Sequence, residues 1–204
     1  MQEFWREFFA EIAATSWPVW MAVILGVVQV LLAKSNSIWL YPAGIISSGL
    51  FVWIFIEAML YAESALNAYY VIMSIYGWWY WASKKTQPLV PITCTKQKEK
   101  LIVAIIVVAG TLTIWWILST FTKSNVPFWD ALVSATAWAG MWLLARRKIE
   151  NWILLNISNA FAVPLLFYKH LPLSALLMIF LFIIAVLGYF QWKRIIRQHT
   201  YVPT

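Results

Sequence analysis

Two short runs in this 204-residue chain place recognition chemistry inside otherwise apolar sequence. Asn67, Tyr70, Ser74, Trp78 and Trp81 follow one another at spacings of three, four, four and three, which on a helix makes one stripe. Trp152, Asn156 and Asn159 repeat the pattern at spacings of four and three and so share a helical face. An amide in hydrocarbon is costly unless it meets a partner, and a solute with hydroxyls or ring substituents would supply one. Aromatic faces attract a flat cation by about 0.5–2 kcal/mol each. The chemistry on offer is therefore reversible capture of a flat, cationic, hydroxyl-bearing solute. The competing reading is helix packing, with Ser74 and Gly77 as small contact residues and amides bonding between helices for about 1 kcal/mol. We assign Asn67, Tyr70, Ser74 and Trp78 to the binding stripe and Trp81 to an interfacial aromatic belt.

Two acids join this set as gate or charge partners. Glu57 lies about one turn from the end of an apolar run, and Glu150 opens another. An intramembrane carboxylate is a functional candidate by default, and one in a first helical turn suits the helix dipole, which is the role expected of Asp130. Catalysis is not expected. Cys94 is the only cysteine, so neither an internal disulfide nor a cysteine metal site is available. His170 and His199 lack a second ligand at metal spacing and read as solvated. No phosphate-binding Gly-rich loop is present. The sequence thus predicts no catalytic residue, no metal and no cofactor.

The elements that hold these stripes follow from composition. Hydrophobic residues make up 63% and charged residues 11%, against about 45–50% and about 25% in a soluble domain, so water cannot be the solvent for most of this surface. A helix needs about 20 residues to span the hydrocarbon core. Seven segments qualify, at roughly 16–33, 38–60, 65–82, 101–120, 127–145, 149–168 and 172–192. Residues 1–15 lack the pattern of a signal peptide. Within them Phe4, Trp5, Phe8, Phe9 and Ile12 oppose Glu3, Arg6, Glu7 and Glu11, as in a helix lying in the interface.

The net charge of +7 resides in short loops, which argues for membrane topology rather than a nucleic-acid partner. Seven crossings put Arg6, Lys123 and Lys169 on one side and the other twelve Lys and Arg on the opposite side. The positive-inside rule then makes the twelve cytoplasmic and leaves the N-terminus outside. The 84–100 loop, with five of those lysines, reads as a topology signal.

The chain also repeats itself. Trp17-Pro18 matches Val126-Pro127, Trp39 matches Trp152, and Ser64-Ala65-Leu66 matches Ser174-Ala175-Leu176. Gly77 to Trp81 matches Gly188 to Trp192, and the displacements run from 109 to 113 residues. We read an all-α membrane protein: an interfacial helix (1–15), a three-helix repeat (16–82), a linker helix (99–120), a second parallel repeat (127–192) and a cytoplasmic tail (193–204). Such repeats bracket the midplane substrate sites of transporters.

The 3+1+3 pattern resembles the SWEET sugar transporters. The run from Asn67 to Trp78, Pro127-Phe128-Trp129-Asp130, the run from Ala145 to Trp152 and the closing run from Gly188 to Lys193 resemble more specifically the PnuC family of vitamin transporters. That resemblance implies a multi-pass protein of the bacterial inner membrane. It further implies uptake of nicotinamide riboside, or of thiamine as the alternative, by facilitated diffusion with alternating access, with trapping by a cytoplasmic kinase, in a trimer. The chain departs from the family pattern at Leu155, where a second tryptophan is frequent, and at Asn67 and Ser74, where Gln and Asn are frequent. These departures fall where a ligand would be read.

Overall fold

The computed structural model describes residues 2–83, 91–122 and 124–200. Lys84, Lys85, Lys123, the tail 201–204 and the side chain of His199 lie outside the described residues. Eight helices are found among those described: α1 (Gln2–Ala14), α2 (Trp17–Lys34), α3 (Leu40–Glu57), α4 (Tyr61–Ala82), α5 (Gln97–Phe121), α6 (Pro127–Ala145), α7 (Asn151–Tyr168) and α8 (Pro172–Thr200). Helices α2, α3, α5, α7 and α8 are long and apolar enough to cross a membrane. At 22 and 19 residues, α4 and α6 are also long enough, but Asn67, Glu63, Asp130 and their tyrosines and tryptophans dilute their apolar character.

Three boundaries differ from the sequence expectation by four residues or more. Helix α4 starts four residues earlier than predicted. Helix α5 starts at Gln97 because the Glu99 carboxylate accepts the Lys96 N–H at 2.8 Å and satisfies an orphan donor. Helix α8 continues past residue 192 to Thr200, because Lys193, Arg194 and Arg197 are good helix formers once apolar sequence ends.

Packing follows chain order within two triples. Helix α2 packs on α3 and α3 on α4; α6 packs on α7 and α7 on α8. The triples meet through α2 with α8 and α4 with α6, while α5 lies against α6. Helix α1 is moored to α8: Glu11 accepts the backbone N–H groups of Leu173 and Ser174 and the Ser174 hydroxyl, at 2.6–3.2 Å. His170, expected to be solvated, is largely exposed yet pairs with Glu7 at 2.8 Å.

The same contacts recur 111 residues apart. Ser47 Oγ donates to the Ala22 carbonyl and Ser158 Oγ to the Val133 carbonyl, at 2.7 and 2.8 Å. The Tyr41 ring lies over Gly77 and the Trp152 ring over Gly188. Four helices end on a residue with φ near +58°, namely Asn36, Met59, Arg147 and His170. Each closes a Schellman pattern, such as Ser37 N–H to Leu32 O and Lys148 N–H to Leu143 O. A left-handed non-glycine residue is costly, so four at matching positions mark the turn as a built feature of the repeat.

The core gathers at the end that carries the basic loops. It comprises Ala33, Leu40, Tyr41, Trp81, Leu144, Trp152, Ala185 and Trp192 with their neighbours. Trp81 is 5% exposed and donates to the Ala145 carbonyl, so it is a core residue rather than part of an aromatic belt. Its counterpart Trp192 donates to the Ala33 carbonyl. Each of these indoles thereby bonds the last turn of the opposite triple's first helix.

A Cβ at Gly77 would overlap the Tyr41 ring, whereas one at Gly49 meets nothing within 4 Å. Gly77→Ala is therefore expected to destabilise by about 1–3 kcal/mol, and Gly49→Ala to be neutral or slightly stabilising. Thermal unfolding of the detergent-purified chain checks this, and equal midpoints for the two variants would contradict the packing.

Candidate functional site

Between the two triples lies a cavity of about 410 Å³, within the size range of small-molecule sites. It is lined from α2, α3, α4, α6, α7 and α8, and α5 takes no part. No charged side chain among the described residues lines it. Its polar equipment is Gln29 on α2, Ser47 and Ser48 on α3, Asn67 and Tyr70 on α4, Ser134 on α6, and Trp152, Ser158 and Asn159 on α7.

Some of these groups are already engaged. Ser47 and Ser158 serve backbone carbonyls, and Asn67 Nδ2 donates to the Glu63 carbonyl at 3.0 Å. Gln29, Ser48, Ser134 and Asn159 make no hydrogen bond to another described residue, and the Trp152 indole N–H is buried without a partner. Polar groups in such a setting are satisfied by water or by a ligand. Trp152 is 1% exposed and meets Trp192 edge-on at 5.7 Å, so the cavity floor rests directly on the packed basic end.

The structure divides the sequence stripes. Asn67, Tyr70, Trp152 and Asn159 come together on the cavity. Ser74 lies below it, fully buried with an unpartnered hydroxyl, because the α4 stripe runs on past the floor into the core. Trp78 is 41% exposed and does not line the cavity. Asn156 lines a separate groove between α7 and α8 with Ile153, Ile157, Phe182, Tyr189 and Phe190. The cavity face of α7 is centred nearer Leu155, Ser158 and Ala162, about 100° around the helix from Asn156.

Five polar cavity residues had escaped the sequence reading. Gln29 was legible as the lone amide of an apolar run, but no polar neighbour stands three or four positions away. Ser47, Ser48, Ser134 and Ser158 carried no signal of their own, whereas Leu155 lines the cavity at a position where the chain departs from the family pattern. Arg147, counted from sequence only among the basic loop residues, is fully buried. Its Nε and Nη2 donate to Asn36 Oδ1 at 2.9 and 2.6 Å, and its guanidinium lies 4.0 Å from the Trp81 ring centre. Burial pushes its pKa down to about 10, opposed by the nearby Tyr41 phenol, so it remains a cation at neutral pH. Asp130, expected as a cap, pairs with Lys169 at 2.7 Å and accepts the Ser124 hydroxyl.

The chain is similar to known transporters in sequence and in fold. The model of the nicotinamide mononucleotide transporter family covers residues 16–194. The chain is 25% identical to the nicotinamide riboside transporter PnuC of Escherichia coli (strain K12), over 90% of this chain and 87% of that protein. It is 27% identical to the protein of the same name from Neisseria mucosa, over 91% of this chain and 75% of that one. A crystal structure described as that of the vitamin B3 transporter PnuC superposes with a TM-score of 0.71 at 23% identity, covering 97% of this chain and 90% of that one. The chain belongs to the nicotinamide mononucleotide transporter family, whose members are membrane transporters rather than enzymes.

The two acids singled out from sequence stand in different settings. Glu57 is exposed at the end of α3. Glu150 Oε1 accepts the Thr95 N–H at 2.9 Å and its Oε2 is buried without a partner. Beside it Thr93 pairs with Lys148 in a short parallel bridge, so residues 93–95 are pinned across the start of α7. Glu150→Ala is expected to speed trypsin cleavage at Lys96 and Lys98 at least several-fold, and Glu57→Ala to leave it unchanged. Equal cleavage rates for the two variants would remove the anchoring role.

Proposed function

We propose, from this family membership, that the chain takes up a water-soluble vitamin, with nicotinamide riboside as the leading candidate and thiamine as the second. The observation that carries this reading is the uncharged cavity between the two triples, with its amides, hydroxyls and aromatic faces. A pyridinium ring meets Tyr70 and Trp152, which attract it without a counter-ion. The ribose meets Gln29, Ser48, Asn67 and Asn159. A phosphate dianion would find no compensating cation among the described residues there, and a buried unpaired charge is prohibitive, so the reading favours the riboside over its nucleotide. Thiamine offers a ring cation and a hydroxyl to the same groups, and Leu155 leaves room for a different ring.

In this reading α2 to α8 each cross the bilayer, in a 3+1+3 parallel-repeat arrangement resembling the SWEET transporters. Helix α1 lies in the interface, the N-terminus faces outward and the basic loops lie in the cytoplasm. The partition is 1–15 interfacial helix, 16–82 first repeat, 99–120 linker, 127–192 second repeat and 193–204 tail. The membrane is the bacterial inner membrane, and the protein assembles as a trimer. The two triples rock about the cavity without ion coupling, and a cytoplasmic kinase traps the solute by phosphorylating it. Asn67, Tyr70, Trp152 and Asn159 contact the solute, while Ser74, Trp78 and Asn156 support the surrounding helices.

Titrating intrinsic tryptophan fluorescence of the purified chain with nicotinamide riboside, thiamine and riboflavin tests the proposal. Saturable binding of one of the first two is expected, weakened about tenfold or more by Asn159→Leu and changed less than twofold by Asn156→Leu. If neither binds, or if Asn156→Leu is the damaging change, this assignment fails.

A further inference from the structure

Gln29 crosses from α2 toward α3 and fills a notch left by Gly44. A Cβ at position 44 would stand 2.5 Å from Gln29 Nε2 and 2.7 Å from its Cδ. The repeat supplies the same notch 111 residues later with the roles exchanged: position 140 is glycine, and Leu155 fills the space above it, within 2.9 Å of where a Cβ would be. One niche therefore holds an amide and its counterpart an isobutyl group. The asymmetry continues around them. Asn67 and Tyr70 on the Gln29 side correspond to Met178 and Leu181 on the other, and all of these line the cavity.

We propose that Gln29, seated in the Gly44 notch, reads the hydroxyl-bearing part of the solute and fixes its orientation, leaving the flat ring to the aromatic faces of Tyr70 and Trp152. The proposal rests on the vitamin-binding reading above and deepens it. An amide on an apolar helix, with no hydrogen bond to any other described residue, has its bonding capacity directed at the occupant of the cavity. Gly44 is then a specificity determinant at one remove, because a methyl group there would evict the amide from its notch.

The test compares nicotinamide riboside with its 2′,3′-dideoxy analogue, binding to wild type, Gln29→Leu and Gly44→Ala. Wild type is expected to prefer the riboside by about tenfold or more. Gln29→Leu is expected to weaken the riboside by a similar factor and the analogue by less than threefold, and Gly44→Ala to reproduce that loss of preference in a chain of unchanged gel-filtration profile. Equal weakening of both ligands, or of neither, would overturn the assignment of Gln29. Failure of wild type to bind either ligand would instead overturn the vitamin reading beneath it.

A separate set of contacts carries a second inference. Asn36 and Arg147 are repeat counterparts, both left-handed, and they bond each other across the two triples. Around them the Trp81 and Trp192 indoles reach reciprocally to Ala145 and Ala33. We infer that this layer is the gate at the basic end and must part for the solute to leave. Its links among the described residues include hydrogen bonds and a cation–aromatic contact, and Arg147 recovers water as they break, so opening leaves no charge buried and alone.

The test replaces Cys94 by Ser and introduces Asn36→Cys with Arg147→Cys, or Ala33→Cys with Trp192→Cys as a second pair that spares the arginine. A short, thiol-cleavable bis-methanethiosulfonate reagent then bridges them. Bridging is expected to leave nicotinamide riboside binding intact, to cut its counterflow in proteoliposomes more than tenfold, and to be reversed by reduction. Undiminished counterflow in the bridged protein, or loss of binding together with counterflow, would overturn the gate.

Discussion

A guanidinium withdrawn wholly from water has to be compensated on every side, and the basic end of this protein is organised around that requirement. Arg147 donates three hydrogen bonds to Asn36 and lies over the face of Trp81, so these partners come from the opposite triple of helices. Removing one member of such a set leaves a buried charge uncompensated, at a cost of about 3–5 kcal/mol. The reciprocal indole bonds of Trp81 and Trp192 repeat the cross-linking on either side. Trp152, seated over Gly188 and against Trp192, turns the top of this packed layer into a floor. The cavity exists because the layer beneath it is dense and the helices above it are held apart by the same contacts.

The contrast between floor and cavity has a chemical sense. The floor holds charge with its partners in place, whereas the cavity holds polar groups that lack protein partners and no charge among the described residues. In a medium without water each unpartnered amide is an unfavourable feature unless something arrives to meet it. A site of that composition binds weakly enough to release, because each neutral hydrogen bond contributes only about 0.5–1.5 kcal/mol net. That balance suits a carrier better than a storage protein or an enzyme.

Much of this was legible in the residues. Length and flanking charge revealed helices α4 and α6, which are less apolar than the five candidate spans, and the repeat landmarks lie within two residues of the 111-residue displacement that the contacts obey. Spacing found Asn67, Tyr70, Trp152 and Asn159. What escaped depends on helix rotation and on neighbours from other helices. Asn156 is separated from Asn159 by one α7 face, which no count along the chain resolves. Trp81 and a belt tryptophan look alike until Ala145 is seen to accept its N–H. Arg147 belongs to a run of three cations that reads as solvent-facing, and only the folded turn withdraws the middle one. Gln29 needed Gly44, fifteen positions away, to give it a place.

We propose that the cavity between the two helix triples carries its solute down a concentration gradient with no ion to drive it. Uptake of radiolabelled nicotinamide riboside into proteoliposomes, measured with and without ionophores that dissipate proton and sodium gradients, tests this directly. Saturable uptake that equilibrates at the external concentration and is the same with either ionophore is expected. Accumulation above that concentration, or uptake that collapses when a gradient is dissipated, would contradict it.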